Sequence, residues 1–125
     1  MDEALNGSSW ANLQAVLHDK SIPFTLTHGD FHAANFLWSY QGEGELVAVD
    51  WTELGVWSPL TELGQMMISD VKPELRRSCE KDLVRGYYDR LVELNPSIKK
   101  TFSFEQCWDN YEVHLLEVLL SAVSL

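Results

Sequence analysis

The chain has 125 residues, 46% of them hydrophobic and five of them Trp, with a formal charge of −10. Its length makes one domain with a modest buried core, and its acidity argues against a phosphate-backbone ligand, because nucleic-acid modules are basic on the face that binds. Two Cys without metal-ligand spacing exclude a disulfide framework and a zinc site.

From the N-terminus, no basic leader precedes an apolar core, so no signal peptide is expected. Asn6-Gly7 forms a turn, and Ser8 or Ser9 caps a helix that carries Trp10, Leu13, Val16 and Leu17 at helical spacing. Pro23 stops that helix, and Phe24-Thr25-Leu26-Thr27 alternates as a short strand. The strand runs into His28-Gly29-Asp30-Phe31-His32-Ala33-Ala34-Asn35. Next come an aromatic and apolar run, Phe36-Leu37-Trp38-Ser39-Tyr40, the turn-forming Gln41-Gly42-Glu43-Gly44, and the apolar Glu45-Leu46-Val47-Ala48-Val49; together they predict a β-hairpin. A turn centred on Gly42-Glu43 makes opposed residues sum to about 85, which places Asn35 across from Asp50 to within about one residue of register.

Trp51 to Trp57, with Gly55 inside it, is expected to be a loop closing over the mouth of the hairpin. Ser58-Pro59 opens a buried helix holding Leu60, Leu63, Met66, Met67 and Ile68. Pro73 opens the next, with the stripe Leu75, Cys79, Leu83, Tyr87, Leu91 and Leu94 facing inward and Arg76, Arg77, Lys81, Arg85 and Arg90 on the other side. Asn95-Pro96 ends it. Ser103-Phe104-Glu105-Gln106 has the form of a capping box for a last helix, with Phe104, Trp108, Tyr111, Leu115, Val118 and Ala122 on one face. The apolar stretch from Val113 to Leu125 is broken by Glu117 and Ser121, so no membrane span is expected. Cys79 and Cys107 fall on apolar helical faces, as buried free thiols of a reducing compartment would. The predicted class is α+β, mostly helical.

Asp30, Asn35 and Asp50 carry the chemistry. Asn35 and Asp50 offer hard oxygens of the kind Mg²⁺ takes, few from protein and the rest from water and ligand, and Asp30 is a carboxylate able to receive a hydroxyl proton. The plainer alternatives are a turn Asp, a turn Asn and a strand-end cap. His28 is expected to order the loop, while His32 either lends a donor to an anionic ligand or packs beneath the hairpin. Trp51 and Trp57 either stack on a ligand or belong to the core. Glu105, Asp109 and Glu112 of the last helix either line a substrate site or form a solvated face.

The stretch His28 to Asn35, followed by Val49-Asp50-Trp51 and Thr61-Glu62-Leu63-Gly64, resembles the catalytic core of the aminoglycoside/choline-kinase type phosphotransferases, relatives of the protein kinases. The resemblance implies the C-terminal lobe of a protein kinase-like fold over residues 1–125, a single partial domain without its nucleotide-binding N-terminal lobe. It implies ATP-dependent phosphoryl transfer to a small-molecule hydroxyl acceptor, with Mg²⁺ and ATP required. Asp30 takes the place of the base, His32 stands where protein kinases carry a Lys that faces the transferring phosphate, and Asn35 and Asp50 take the metal and, through it, the nucleotide. His28 and Glu62 hold the loop, Glu62 standing where the family has Asp in an Asp-Leu-Ala triplet. The acidity suits a cationic acceptor, and a cytoplasmic location is expected.

No Gly-rich loop and no nucleotide-clamping Lys strand occurs, so the missing lobe is expected in cis or in trans, with little activity from this chain alone. Two other classes stand beside this one. One is a non-catalytic interaction domain of the same fold. The other is a metallophosphoesterase opening with Gly29-Asp30-Phe31-His32, for which only His114 remains as a further His downstream.

Overall fold

The structure is a computed structural model that describes residues 23–42 and 44–123; the helix expected from Ser8 to Lys20 lies outside them. Strand β1 (Thr25–Thr27) pairs antiparallel with β4 (Gly55–Trp57), Leu26 opposite Val56. Strand β2 (Phe36–Leu37) pairs antiparallel with β3 (Val47–Ala48). A 3₁₀ turn, Ala33–Asn35, leads into β2. Three helices follow the strands: α1 (Pro59–Ser69), α2 (Pro73–Leu94) and α3 (Phe104–Val123), with a 3₁₀ segment at Pro96–Lys100 between the last two. The architecture is α+β and mostly helical.

The expected hairpin forms with a short ladder, and its register lies within the one residue allowed, opposed residues summing to 84 rather than 85. Phe36 faces Ala48, and the Val49 N–H donates to the Asn35 carbonyl at 2.9 Å, so Asn35 lies across from Val49 and Asp50 is the next residue. The cause is the turn. Gly42 N–H donates to Ser39 O at 3.0 Å, which starts the reversal before Gly42, and Gly42 and Gly44 take φ of +71° and +138°. Residues 55–57, expected to be loop, form β4 instead, because Val56 and Trp57 have strand propensity and β1 offers an unpaired edge. Three residues are too few to show a period of two.

Leu60 and Met67 of α1, Val84 and Tyr88 of α2, and Phe104, Cys107 and Tyr111 of α3 form one buried cluster with Phe102. The inward face of α2 is therefore centred on Val84 and Tyr88, one residue beyond the expected stripe; Leu75, Leu83 and Leu94 are exposed. Arg76, expected on the outer side, is half-buried at 3.4 Å from Glu80, whose carboxylate accepts from Tyr111 of α3 at 2.9 Å. A polar bridge between two helices thus displaces the apolar register of α2. Tyr88 adds a second tie, its hydroxyl donating to Phe102 O at 2.9 Å.

The caps divide. Ser103 and Gln106 form the reciprocal pair expected of them, Ser103 N–H donating to Gln106 Oε1 at 2.8 Å and Gln106 N–H to Ser103 Oγ at 3.2 Å. Ser58 precedes α1 but its side chain makes no capping bond; Pro59 at the first helical position has no N–H to satisfy. Where α1 meets α3, Gly64 is the contact. A Cβ there would lie 3.3 Å from Leu115 N and 3.4 Å from the His114 carbonyl carbon, so the missing side chain lets the two backbones approach. Among the described residues no helix is long and apolar enough to cross a membrane.

Two outcomes follow. Gly64→Val lowers stability by about 2–4 kcal/mol, read as a urea midpoint, because its branches have only backbone to displace; Gly64→Ala is near balance, about 1 kcal/mol of helix propensity offsetting a tight contact. Cys107 is fully buried, and burial pushes its thiol up to about 11. A thiol reagent at neutral pH is expected to label Cys107 only after denaturant unfolds the chain, with Cys79, half-buried, reacting first.

Candidate functional site

The loop from Gly29 to Ala33 has neither strand nor regular helix to pair its backbone, and each of its N–H groups is nonetheless engaged. Asp30 N–H donates to His28 Nδ1 at 3.3 Å and His32 N–H to Asp30 O at 3.2 Å. The other three cross to the α1 side: Gly29 to Glu62 Oε1 at 2.9 Å, Phe31 to Gln65 Oε1 at 3.1 Å and Ala33 to Asp70 Oδ2 at 2.8 Å. Asp70 is the C-cap residue of α1, and Ser69 Oγ donates to the same oxygen at 3.1 Å.

His28 is buried and its ring has a defined tautomer. A carbonyl only accepts and an amide N–H only donates, so Nε2, 2.7 Å from Val49 O, carries the proton and Nδ1 is the bare acceptor for Asp30 N–H. The ring thereby ties the loop to the end of β3. Trp51 packs against it at 4.6 Å between centroids, its indole N–H donating to Ala48 O at 3.0 Å. Trp51 is half-exposed, as is Trp57.

Asp30, His32 and Asn35 come together in a triangle. Asn35 Nδ2 donates to Asp30 O at 2.9 Å and to Asp30 Oδ2 at 3.0 Å, and it lies 3.2 Å from His32 Nε2. His32 Nε2 is 3.1 Å from Asp30 Oδ2. A single ring nitrogen cannot serve both neighbours in one state: protonated it donates to Asp30, bare it accepts from Asn35. The other carboxylate oxygen, Oδ1, accepts from Gln65 Nε2 at 2.9 Å. That bond is the largest of the influences that hold Asp30 below the ordinary carboxylate pKa; Asn35 and His32 act in the same direction and partial desolvation opposes them. The carboxylate is therefore ionised at neutral pH.

Asp50 stands one residue beyond the backbone pair Asn35 and Val49, with φ of +59°. The left-handed region costs an L-residue roughly 1–2 kcal/mol, less for Asp and Asn than for others. Thr52 holds the side chain there, its hydroxyl donating to Asp50 Oδ1 at 2.8 Å, and the carboxylate is exposed. Among the described residues no group of three or more His, Cys, Asp or Glu could hold a metal ion by itself. Asn35 Oδ1 and Asp50 Oδ2 are the oxygens left for a cation once the bonds above are made.

A cavity of about 190 Å³ is walled by residues that include Thr27, Gly29, Glu53, Trp57, Glu62 and Gln65; it shares Gly29 and Gln65 with the surroundings of the loop, while Asp30, His32, Asn35 and Asp50 are not in its wall. Gln65 and Asp70 were not found by reading the sequence. The signal existed in Glu62, Gln65 and Ser69, which step by three and four as a polar line on an otherwise apolar helix. On α3, Glu105 and Asp109 line a second cavity with Lys81, Arg85, Phe104 and Trp108, while Glu112 is exposed outside it.

Gly29, with φ of +88°, has the Glu53 carbonyl seated where a Cβ would be. Both the backbone conformation and the contact require glycine. Gly29→Ala is expected to lower the urea midpoint by the equivalent of about 2–4 kcal/mol, more than its exposed position would otherwise suggest.

The sequence profile of the family described as uncharacterized oxidoreductase dhs-27 matches residues 3–124. The chain belongs to that family, which is related to the kinase-like proteins. No curated protein and no solved structure matches it significantly.

Proposed function

We propose that this member of the family is the metal-side and acceptor-side lobe of an ATP-dependent small-molecule phosphotransferase of the aminoglycoside/choline-kinase type. The observation that carries the reading is the triangle of Asp30, His32 and Asn35, with Asp50 one residue past the Asn35–Val49 backbone pair: a hydrogen-bonded ionised carboxylate, an imidazole beside it and two uncommitted hard oxygens. Asp30 would receive the proton of the acceptor hydroxyl as the hydroxyl oxygen attacks. Its lowered basicity means that it orients the hydroxyl and takes the proton late, once the O–P bond is forming. His32, half-exposed, would donate toward the transferring phosphoryl group.

Asn35 and Asp50 would hold Mg²⁺, and two protein oxygens suit an ion that keeps most of its shell for water and phosphate. The ion would neutralise charge on the phosphates. His28 and Glu62 contribute by fixing the loop rather than by touching a ligand. The acceptor would be a small hydroxyl compound entering by the cavity, whose carboxylates Glu53 and Glu62 favour a cationic one.

From residue 21 to residue 71 there is no Lys or Arg, against seven Asp or Glu. A nucleotide's phosphates therefore need a positive clamp from outside this segment, and the nucleotide-binding lobe, in cis or in trans, is where we place it. The word oxidoreductase in the family's description finds no support in these residues. The Gly-x-Gly of this chain, Gly42 and Gly44 with one residue between, joins two strands instead of opening a helix, so it lacks the context of a dinucleotide fingerprint. A two-metal phosphoesterase would need more His and carboxylate ligands than Asp30 and His32 gather.

Calorimetric titration of the protein with ATP tests the reading. Binding is expected to depend on Mg²⁺, to weaken at least tenfold in Asp50→Ala, and to persist in Asp30→Asn while phosphoryl transfer is lost. Equal Mg²⁺-dependent binding by wild type and Asp50→Ala would overturn it.

A further inference from the structure

Asp30 has three side-chain partners among the described residues. Two of them, His32 and Asn35, lie within five positions of it in sequence. Gln65 is the one distant in sequence, on α1, which is anchored in the core by Leu60 and Met67. Its amide does two things at once: Oε1 accepts from Phe31 N–H at 3.1 Å, and Nε2 donates to Asp30 Oδ1 at 2.9 Å. The first bond holds the loop, and the second fixes the rotation of the carboxylate. Gln65 also lines the cavity that it shares with Gly29 and Glu62.

We infer that Gln65 is a positioning residue of the site, which sets the plane of the Asp30 carboxylate from a buried helix and so determines the direction from which an acceptor hydroxyl can meet it. The inference rests on the phosphotransferase reading for its consequence in catalysis, and on geometry alone for the hold on Asp30. Without the amide donor, Oδ1 keeps no partner outside its own loop, and the carboxylate turns toward His32 and Asn35. A displacement of about 1 Å at a reacting group costs on the order of a hundredfold in rate.

Gln65→Glu separates the two bonds, since it retains an acceptor for Phe31 N–H and removes the donor to Asp30. Gln65→Leu removes both. The test uses ¹⁵N-labelled protein and follows the Asn35 side-chain amide, which lies 3.0 Å from Asp30 Oδ2, with Asp30→Asn as the reference for its loss. Basal Mg²⁺-ATP hydrolysis by the protein, together with the nucleotide-binding lobe wherever that lobe is encoded, is read alongside, water serving as the acceptor. Gln65→Glu is expected to melt a few degrees below wild type, because it sets a second carboxylate against Asp30, to keep its Gly29 and Ala33 backbone resonances, to shift the Asn35 amide, and to hydrolyse ATP about 10–100-fold more slowly. An Asn35 amide unmoved in both Gln65 variants overturns the inference, as does a wild-type hydrolysis rate in Gln65→Glu. Hydrolysis by Asp30→Asn at the wild-type rate overturns the phosphotransferase reading instead, and the Asn35 amide then still decides whether Gln65 holds the carboxylate.

Discussion

Five consecutive backbone donors, from Gly29 to Ala33, must be satisfied in a loop that belongs to no sheet or α-helix. A donor left unpaired in a folded chain costs about 1–3 kcal/mol, so a loop of this kind keeps one shape only if something rigid supplies the acceptors. Here α1 and its C-cap supply three of them, at Glu62, Gln65 and Asp70. The helix can do so because its opposite side is fixed: Leu60 and Met67 lie in the core, and Gly64 brings its backbone against α3. The geometry at Asp30 is thus set by helix packing at some remove from it, and the two short strand pairs contribute little. A two-residue ladder is marginal by itself, and β2 and β3 are held at the open end of their hairpin by the Asn35–Val49 and His28–Val49 bonds.

The sequence was most informative where a residue type has one local consequence. Pro59 and Pro73 each open a helix, and Asn95-Pro96 closes one. Ser103 and Gln106 satisfy each other's orphan donors as their spacing requires. It was least informative where tertiary partners choose between near-equal faces. On α2, Leu75, Cys79 and Leu83 form as good an apolar line as Val84 and Tyr88, and the Glu80–Tyr111 bond to α3 decides for the second. Strand β4 went unseen because three residues around a glycine carry no period, and its existence depends on β1, thirty residues earlier. At the site, the loop residues were legible from spacing, since they sit within one stretch of chain. Gln65 and Asp70 were not, because an exposed-looking polar residue on a helix gives no sign of a loop N–H some 35 positions upstream.

The distribution of charge says what kind of ligand the site can hold unaided. Eight of the nine Lys and Arg lie between residues 72 and 100, from the N-cap of α2 to the segment after it, and none between 21 and 71. Carboxylates around Asp30 and Asp50 make that region favourable to cations and unfavourable to free polyphosphate. The strain at Asp50 belongs to the same picture. A left-handed Asp at a strand end is tolerated because Thr52 holds its carboxylate, and backbone strain of this kind is found where a side chain must be aimed rather than merely accommodated. On the reading proposed here, a divalent cation held by Asn35 and Asp50 would make this acidic region able to accept a nucleotide, provided a nucleotide-binding lobe, in cis or in trans, brings a further positive group.

The three acceptors of the α1 side are not equivalent, and the difference explains the residue types. Among the described residues, Glu62 and Asp70 accept from the backbone N–H groups of Gly29 and Ala33, for which a carboxylate is the stronger acceptor. Position 65 faces a donor, Phe31 N–H, and an acceptor, Asp30 Oδ1, on the same side. A carboxylate there would repel Asp30, and a Lys or Arg would leave the Phe31 N–H unpaired. A primary amide is the side chain of suitable length that offers a donor and an acceptor in one plane. Gln65 therefore follows from the demand that an ionised Asp30 be held from outside its own loop without another charge being placed against it.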